Sequence, residues 1–208
     1  MAEYTLYAFK ESGNAYKAAL FLELAGCDWQ ARFVDFFNGE TRSPDFRETV
    51  NEMGEAPVLI HGDVKLTQSG VILDYLSQQT GKFGAANDVE RRDILRWTLW
   101  DNHKLTSYTA TYRFLKQFVA GTDPTVLEFL RGRMIAALSV LEKHLTGRAW
   151  VATDQISTAD LSICGYLFFE TEFEVDWADY PAIAAWRERI KAMPGWQHPY
   201  ELLPDGAG

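Results

Sequence analysis

The sequence predicts an α/β domain followed by an all-α domain. In the first eighty residues, short apolar runs alternate with helical patterns in the order βαβαββα, and beyond Gly81 strand signals largely vanish. Glycine punctuates the first half at Gly26, Gly62 and Gly81, where helices or a hairpin should turn.

Taken in order, residues 4–9 (Tyr4 to Phe9) predict a strand and residues 14–26 a helix ending at Gly26. In that helix Ala15, Ala18, Ala19, Leu22 and Ala25 share one stripe, and their small size suits close packing on a sheet. A strand over 30–36 and a short helix over 43–50 follow. Residues 57–60 and 63–66 predict a hairpin around Gly62-Asp63, and 68–79 a helix. This places one domain at residues 1–80, a linker rich in Gly, Ala and polar side chains at 81–87, and an all-helical domain at 88–208.

The helical half begins with a long helix over 88–119 and continues with one over 124–145, opened by Asp123-Pro124 as cap and first-turn proline. Leu127, Leu130, Met134, Leu138, Leu141 and Leu145 step by three and four along the latter, the spacing of a bundle core. A third helix should start at Ser157-Thr158-Ala159-Asp160. There Ser157 and Asp160 form a capping box, with Ile156 and Leu161 placed as its staple. Helices around 181–193 and 195–202, opened near Pro181 and Pro194-Gly195, complete the chain.

With 20 Lys+Arg against 29 Asp+Glu, the formal net charge of −9 opposes non-specific binding to nucleic acid and to anionic membranes. No run of about 18 apolar residues could span a bilayer, and the start Met1-Ala2-Glu3-Tyr4 lacks the basic opening of a secretory signal. A soluble, cytoplasmic protein is expected. Cys27 and Cys164 form no CxxC pair, and four scattered histidines give no metal-ligand spacing, so no metal is expected.

Chemistry is most concentrated at Glu11-Ser12-Gly13-Asn14-Ala15-Tyr16-Lys17, where a hydroxyl, an amide and an ammonium meet at a strand-to-helix junction. Helix N-termini expose unpaired N–H donors and partial positive charge, which suits them to a thiolate, carboxylate or phosphate. The same grammar recurs from Glu55-Ala56-Pro57-Val58 through Leu66-Thr67-Gln68-Ser69-Gly70. Two such junctions suggest one polar ligand gripped at both ends.

These segments resemble the cytosolic glutathione transferase superfamily, in its bacterial, serine-type form. Ser12-Gly13-Asn14-Ala15-Tyr16-Lys17 is similar to the segment carrying the activating hydroxyl. Gly54-Glu55-Ala56-Pro57-Val58-Leu59 is similar to the turn ending in a cis-proline, and Gln68-Ser69-Gly70 with the helix after it to the Glu/Gln-Ser motif for the γ-glutamyl group. Ser157-Thr158-Ala159-Asp160 is similar to the capping box of the helical domain, so the resemblance covers almost the whole chain.

The resemblance implies a thioredoxin-like N-terminal domain that binds reduced glutathione, with no metal, and a homodimer. Ser12, or the competing donor Asn14, would stabilise the glutathione thiolate and present it to a small electrophile in a cleft between the domains. Glutathione would be held by Ala56 and Pro57, by Gln68 and Ser69, and by Lys17, whose bland alternative is a solvated helix face. Glu55 stands where the family often has a cation for a glutathione carboxylate, so Lys17, Arg42 or Lys65 would take over, or affinity falls. The electrophile side implied by the first long helix of the second domain is Trp100, His103, Tyr108 and Tyr112, with Trp97, Thr109 and Arg113 as further candidates. Because Ser-x-Asn-x-x-Lys also resembles a bacterial class using Thr-x-Asn, a glutathione-dependent disulfide or peroxide reductase is the alternative. A non-catalytic interaction module is the third. Cys27 and Cys164 read as inert thiols.

Overall fold

A computed structural model describes residues 2–206, which divide into two units. One runs to Lys82 and includes the residues from Met193 on; the other is Phe83–Ala192.

The first unit is built on four strands, β1 (Tyr4–Ala8), β2 (Trp29–Phe33), β3 (Val58–His61) and β4 (Val64–Thr67), in the order β2-β1-β3-β4. β1 and β2 run parallel because helix α1 (Gly13–Ala25) crosses between them, while the other pairs are antiparallel. Helix α2 (Pro44–Thr49) precedes β3, and α3 (Ser69–Thr80) follows β4. Alternation in β1 buries Tyr4, Leu6 and Ala8. The expected alanine stripe of α1 is buried, and so are Tyr16, Leu20 and Phe21, because α1 packs against β1, α3 and the C-terminal helix at once. Its stop is Gly26, at φ 66°.

Two expectations shift here. The strand expected over 30–36 ends at Phe33, and the chain turns as Phe36 N–H donates to Val34 O and Gly39 N–H to Phe36 O. The apolar residues Val34 and Phe36 serve a local core with Phe9 and Phe46, not a longer strand. The segment from Met193 on, expected in the helical domain, instead groups with the first unit. Tyr16 donates to Gln197 O at 2.8 Å, and Lys10 pairs with Asp205 at 2.7 Å. Its helix α9 is only Pro199–Leu202, not 195–202, because Gly195 turns at φ 90° and Pro199 lacks the N–H needed to continue an earlier helix.

The second unit contains α4 (Asp88–Trp100), α5 (Thr106–Phe118), α6 (Pro124–Leu145), α7 (Thr158–Ile163) and α8 (Pro181–Lys191). The single helix expected over 88–119 carries a π turn at Asp101–Leu105. Thr106 sends both its N–H and its hydroxyl back five residues to Asp101, whose other carboxylate oxygen takes the Ser162 hydroxyl at 2.7 Å. The leucine stripe of α6 is buried at Leu130, Met134, Leu138, Leu141 and Leu145.

Asp160 is the polar centre of this unit. It closes the capping box with Ser157 and also accepts from Val151 N–H and Trp186 Nε1, both at 2.9 Å. Burial pushes its carboxyl upward while these donors pull it down. Asp160→Ala would leave buried donors unpaired and is expected to cost about 4 kcal/mol in urea unfolding. A loss below about 1 kcal/mol would show that the network is not what holds α7 in place.

Candidate active site

Strand register assembles the site. Tyr7 pairs with Val58, Val58 with Thr67, and Ala8 with Phe33. The exits of β1, β2 and β4 and the entry of β3 therefore lie at one end of the sheet. Ser12, the Phe36 turn, the Glu55-Ala56-Pro57 turn and Gln68-Ser69 all leave from that end.

Ser12 is the N-cap of α1 and only 5% exposed. Its Oγ accepts from Ala15 N–H at 3.1 Å, while its backbone N–H donates to Phe9 O at 3.0 Å. The hydroxyl proton has no acceptor among the described residues. Accepting from Ala15 polarises that O–H and strengthens it as a donor. Asn14, half-buried on the first turn, accepts the Ser69 hydroxyl at 3.4 Å, which joins the starts of α1 and α3. Neither helix has an acid in its first turn.

Ser69 opens α3 and is buried, and the residue before it, Gln68, has φ 66° and ψ 115°. A non-glycine residue there stores strain of about 1–3 kcal/mol, a pattern that clusters at ligand clamps. Its exposed side-chain amide donates to Glu55 Oε2 at 3.0 Å and to Met53 Sδ at 3.4 Å.

The Ala56–Pro57 peptide bond is cis, as the resemblance implies. Its turn is braced from inside by Asn51, a residue the sequence reading passed over. Asn51 is buried, donates to Glu55 O at 2.8 Å and accepts from Met53 N–H at 3.1 Å. Gly54, at φ 67°, leaves no room for a Cβ, which would fall 2.8 Å from Thr41 O. Asn51 and Gly54, six and three residues before the proline, were the available signal.

The three cations suggested for a ligand carboxylate separate clearly. Lys17 is fully buried, so it neither solvates a helix face nor offers an atom to a ligand at the surface; α1 is enclosed on that side as well. Lys65 donates to Thr49 O at 2.6 Å, at the end of α2. Arg42 is exposed and makes no ion pair among the described residues, since neighbouring Glu40 turns to Asp35 N–H and Arg32.

Of the residues expected on the electrophile side, Trp100 and Tyr108 are half-buried and His103 is exposed. Trp100 packs edge-on against Trp97 at 5.0 Å. Tyr112 is 2% exposed, and its hydroxyl donates to Glu174 at 3.1 Å and accepts from Lys116 at 3.2 Å. Arg113 is likewise buried, paired with Glu172 at 2.7 Å. A group the sequence reading missed lies in the first unit. Phe9 stacks on Phe36 at 4.7 Å, and Phe37, 46% exposed, meets both edge-on. This aromatic step begins three residues from Ser12.

Cys164 is buried and burial pushes the half-buried Cys27 thiol up, so neither is poised as a thiolate. The described residues hold no cluster of His, Cys, Asp and Glu that could bind a metal, and no helix long and apolar enough to cross a membrane.

Comparison with known proteins gives the same picture. The glutathione S-transferase N-terminal domain model matches residues 2–78 and the C-terminal domain model residues 125–194. The chain is 30% identical over 200 residues to a glutathione S-transferase of Arabidopsis thaliana, covering 88% of this chain and 77% of that one. It is 28% identical over 193 residues to a disulfide-bond oxidoreductase of Escherichia coli, covering 89% of each. The crystal structure of a possible glutathione S-transferase from Rhodopseudomonas palustris superposes with a TM-score of 0.89 at 31% identity, over 99% of this chain and 93% of that one.

The two uses of the Ser12 oxygen can be separated. Ser12→Ala removes the cap and is expected to cost about 1 kcal/mol in denaturant unfolding, whereas Ser12→Asp, a good cap without a donor proton, is expected to cost little. Equal losses in both variants would mean that buried Ser12 matters through packing and not through its bond to Ala15.

Proposed function

The chain belongs to the glutathione S-transferase family, and we propose that it binds reduced glutathione in its N-terminal unit and transfers the thiolate to an electrophilic small molecule. The observation that carries this reading is the Ser12 hydroxyl, oriented by Ala15 N–H and free to donate at the N-terminus of α1. A free thiol has a pKa of about 8.5, so at neutral pH most glutathione is protonated and weakly nucleophilic. A hydroxyl donor beside a helix N-terminus favours the thiolate and lowers that pKa. Ser12 stays unmodified and acts as a hydrogen-bond donor, with Asn14 steadying the junction.

In this reading the Ala56 backbone pairs with the cysteinyl part of glutathione in the manner of an added strand. Ser69 and the start of α3 hold the γ-glutamyl carboxylate. Arg42 takes the glycyl carboxylate, because Lys17 is buried and Lys65 is tied to Thr49. The Phe9, Phe36 and Phe37 step suits a planar apolar electrophile. Attack forms a carbon–sulfur bond, and the displaced group leaves with the bonding electron pair.

The similarity to a disulfide-bond oxidoreductase favours one alternative on the same site. There the thiolate attacks a disulfide sulfur, giving a mixed disulfide and releasing a thiolate, and a second glutathione then yields glutathione disulfide. Either reaction needs a reduced thiol pool and so belongs in the cytoplasm. Exposed Leu95 and Leu99 on α4, with Val126 and Phe129 on α6, support a homodimer in which a second copy covers these faces.

Following thiolate absorbance while titrating bound glutathione tests the central step. The band is expected to persist well below the pKa of free glutathione in the native protein and in Ser12→Thr. In Ser12→Ala and Ser12→Asp it should move back toward about 8.5, with kcat falling more than KM rises. Bound glutathione without a shifted band would remove the activation step from this reading. Turnover on an aryl halide against a small disulfide then decides between transfer and reduction.

A further inference from the structure

We propose that Lys10 receives an anionic substituent of the electrophile, and that Asp205 occupies its ammonium as an internal stand-in until that ligand arrives. The inference rests on the transferase reading and names its substrate class, a planar aromatic electrophile with a carboxylate or similar anion on its rim. Lys10 stands between two groups already assigned to the site. Ser12 N–H donates to Phe9 O at 3.0 Å, so Lys10 and Glu11 form the corner of a turn that joins the aromatic step to the activating hydroxyl. Two residues of chain span at most about 7 Å, which keeps the base of Lys10 close to Ser12.

The C-terminal segment meets that same end of the sheet, within the first unit. Lys10 Nζ lies 2.7 Å from Asp205 Oδ1 and 5.9 Å from the centre of the Tyr200 ring. Gly206, at φ 68°, packs so closely on Phe33 that a Cβ would fall 2.6 Å from the ring. Phe33 closes β2, pairs with Ala8 and precedes Phe36 of the aromatic step by three residues, so Asp205 is brought to the exits of β1 and β2. The hold at this point is weak. The Lys10 side chain is 25% exposed and that of Asp205 70%. An ion pair so open to solvent shifts an equilibrium by about fivefold at most, so a ligand anion whose ring also stacks on the aromatic step displaces Asp205. Leu203, 4% exposed, keeps the segment rooted when Asp205 leaves Lys10. The ammonium then exchanges one carboxylate for another, and beside an apolar aromatic surface it admits a ring bearing an anion and rejects one bearing a cation.

Turnover of glutathione with para-chlorodinitrobenzoate and with the corresponding neutral benzamide tests this in the full-length protein, Lys10→Gln, Asp205→Asn and the double variant. With either probe the thiolate sulfur bonds to the ring carbon and chloride leaves with the bonding pair. The probes differ at the rim and not at the reacting carbon, so the carboxylate-to-amide ratio of kcat/KM, compared between variants, isolates the rim charge. Matched thermal unfolding confirms that the substitutions leave the fold intact. Asp205→Asn is expected to raise that ratio about threefold and Lys10→Gln to lower it about fivefold. The double variant should match Lys10→Gln, because Asp205 acts only by covering the ammonium. Ratios that neither single change moves overturn the proposal. So does a threefold gain from Asp205→Asn in the Lys10→Gln background, which would make Asp205 a charge that repels the ligand directly. Native protein that binds glutathione but turns over neither probe overturns the transferase reading itself, a result separate from both of these.

Discussion

The pairing of Tyr7 with Val58 and of Val58 with Thr67 is the constraint on which the site depends. Ser12, Ala56 and Ser69 are far apart in sequence, and none is positioned by its own neighbours alone. Burial of Tyr4, Leu6 and Ala8 on one side pins β1, and a slip of one residue would turn that set toward the opposite face. Pro57 donates no N–H, so it sits just outside the ladder, at the mouth of the site. The core thus sets the geometry of the polar groups, and the Asn14–Ser69 contact joins the two helix starts after the sheet has brought them together.

How much of this was legible in the sequence depended on whether the signal was local. The bounds of α1, α3 and α6 follow from caps and stops that act within a turn: Ser12 and Gly26, Gly81, and Asp123-Pro124. The capping box at Ser157 has the same local character, although its Asp160 also gathers Val151 and the distant Trp186. What could not be read was the set of neighbours. Lys17 looks like a surface residue because lysine usually is one, yet the helix carrying it is covered by sheet, α3 and α9 together. Tyr112 falls at a spacing that fits a pocket or a core equally well, and the partner of its hydroxyl, Glu174, comes 62 residues later. The π turn at Asp101 likewise needs Ser162 from another helix.

Capping and chemistry at Ser12 need not be alternatives. A serine oxygen has two lone pairs and one proton, and the cap uses a lone pair, so the proton remains. The same economy of function appears at Gln68, whose side-chain nitrogen braces the turn at Glu55 while its oxygen stays open. Ser12 and Gln68 are each held by a bond that the functional atom does not make. A residue held in this way loses little freedom when a ligand arrives, and preorganised donors contribute more than mobile ones.

The overall charge of −9 would seem unsuited to an anionic peptide. Distance resolves this, because exposed charges are screened over about 8 Å at physiological ionic strength, whereas donors at a helix start act in direct contact. Helices α2, α4 and α7 place acids in their first turns, as α4 does with Asp88 and Glu90, and so compensate their own N-terminal charge. α1 and α3 do not, and their uncompensated starts meet at Asn14 and Ser69. α6 and α8 also lack a first-turn acid, but Asp123 caps the one and Glu142 takes the Ala182 and Ile183 N–H groups of the other, which leaves the starts of α1 and α3 for an anionic ligand to complete.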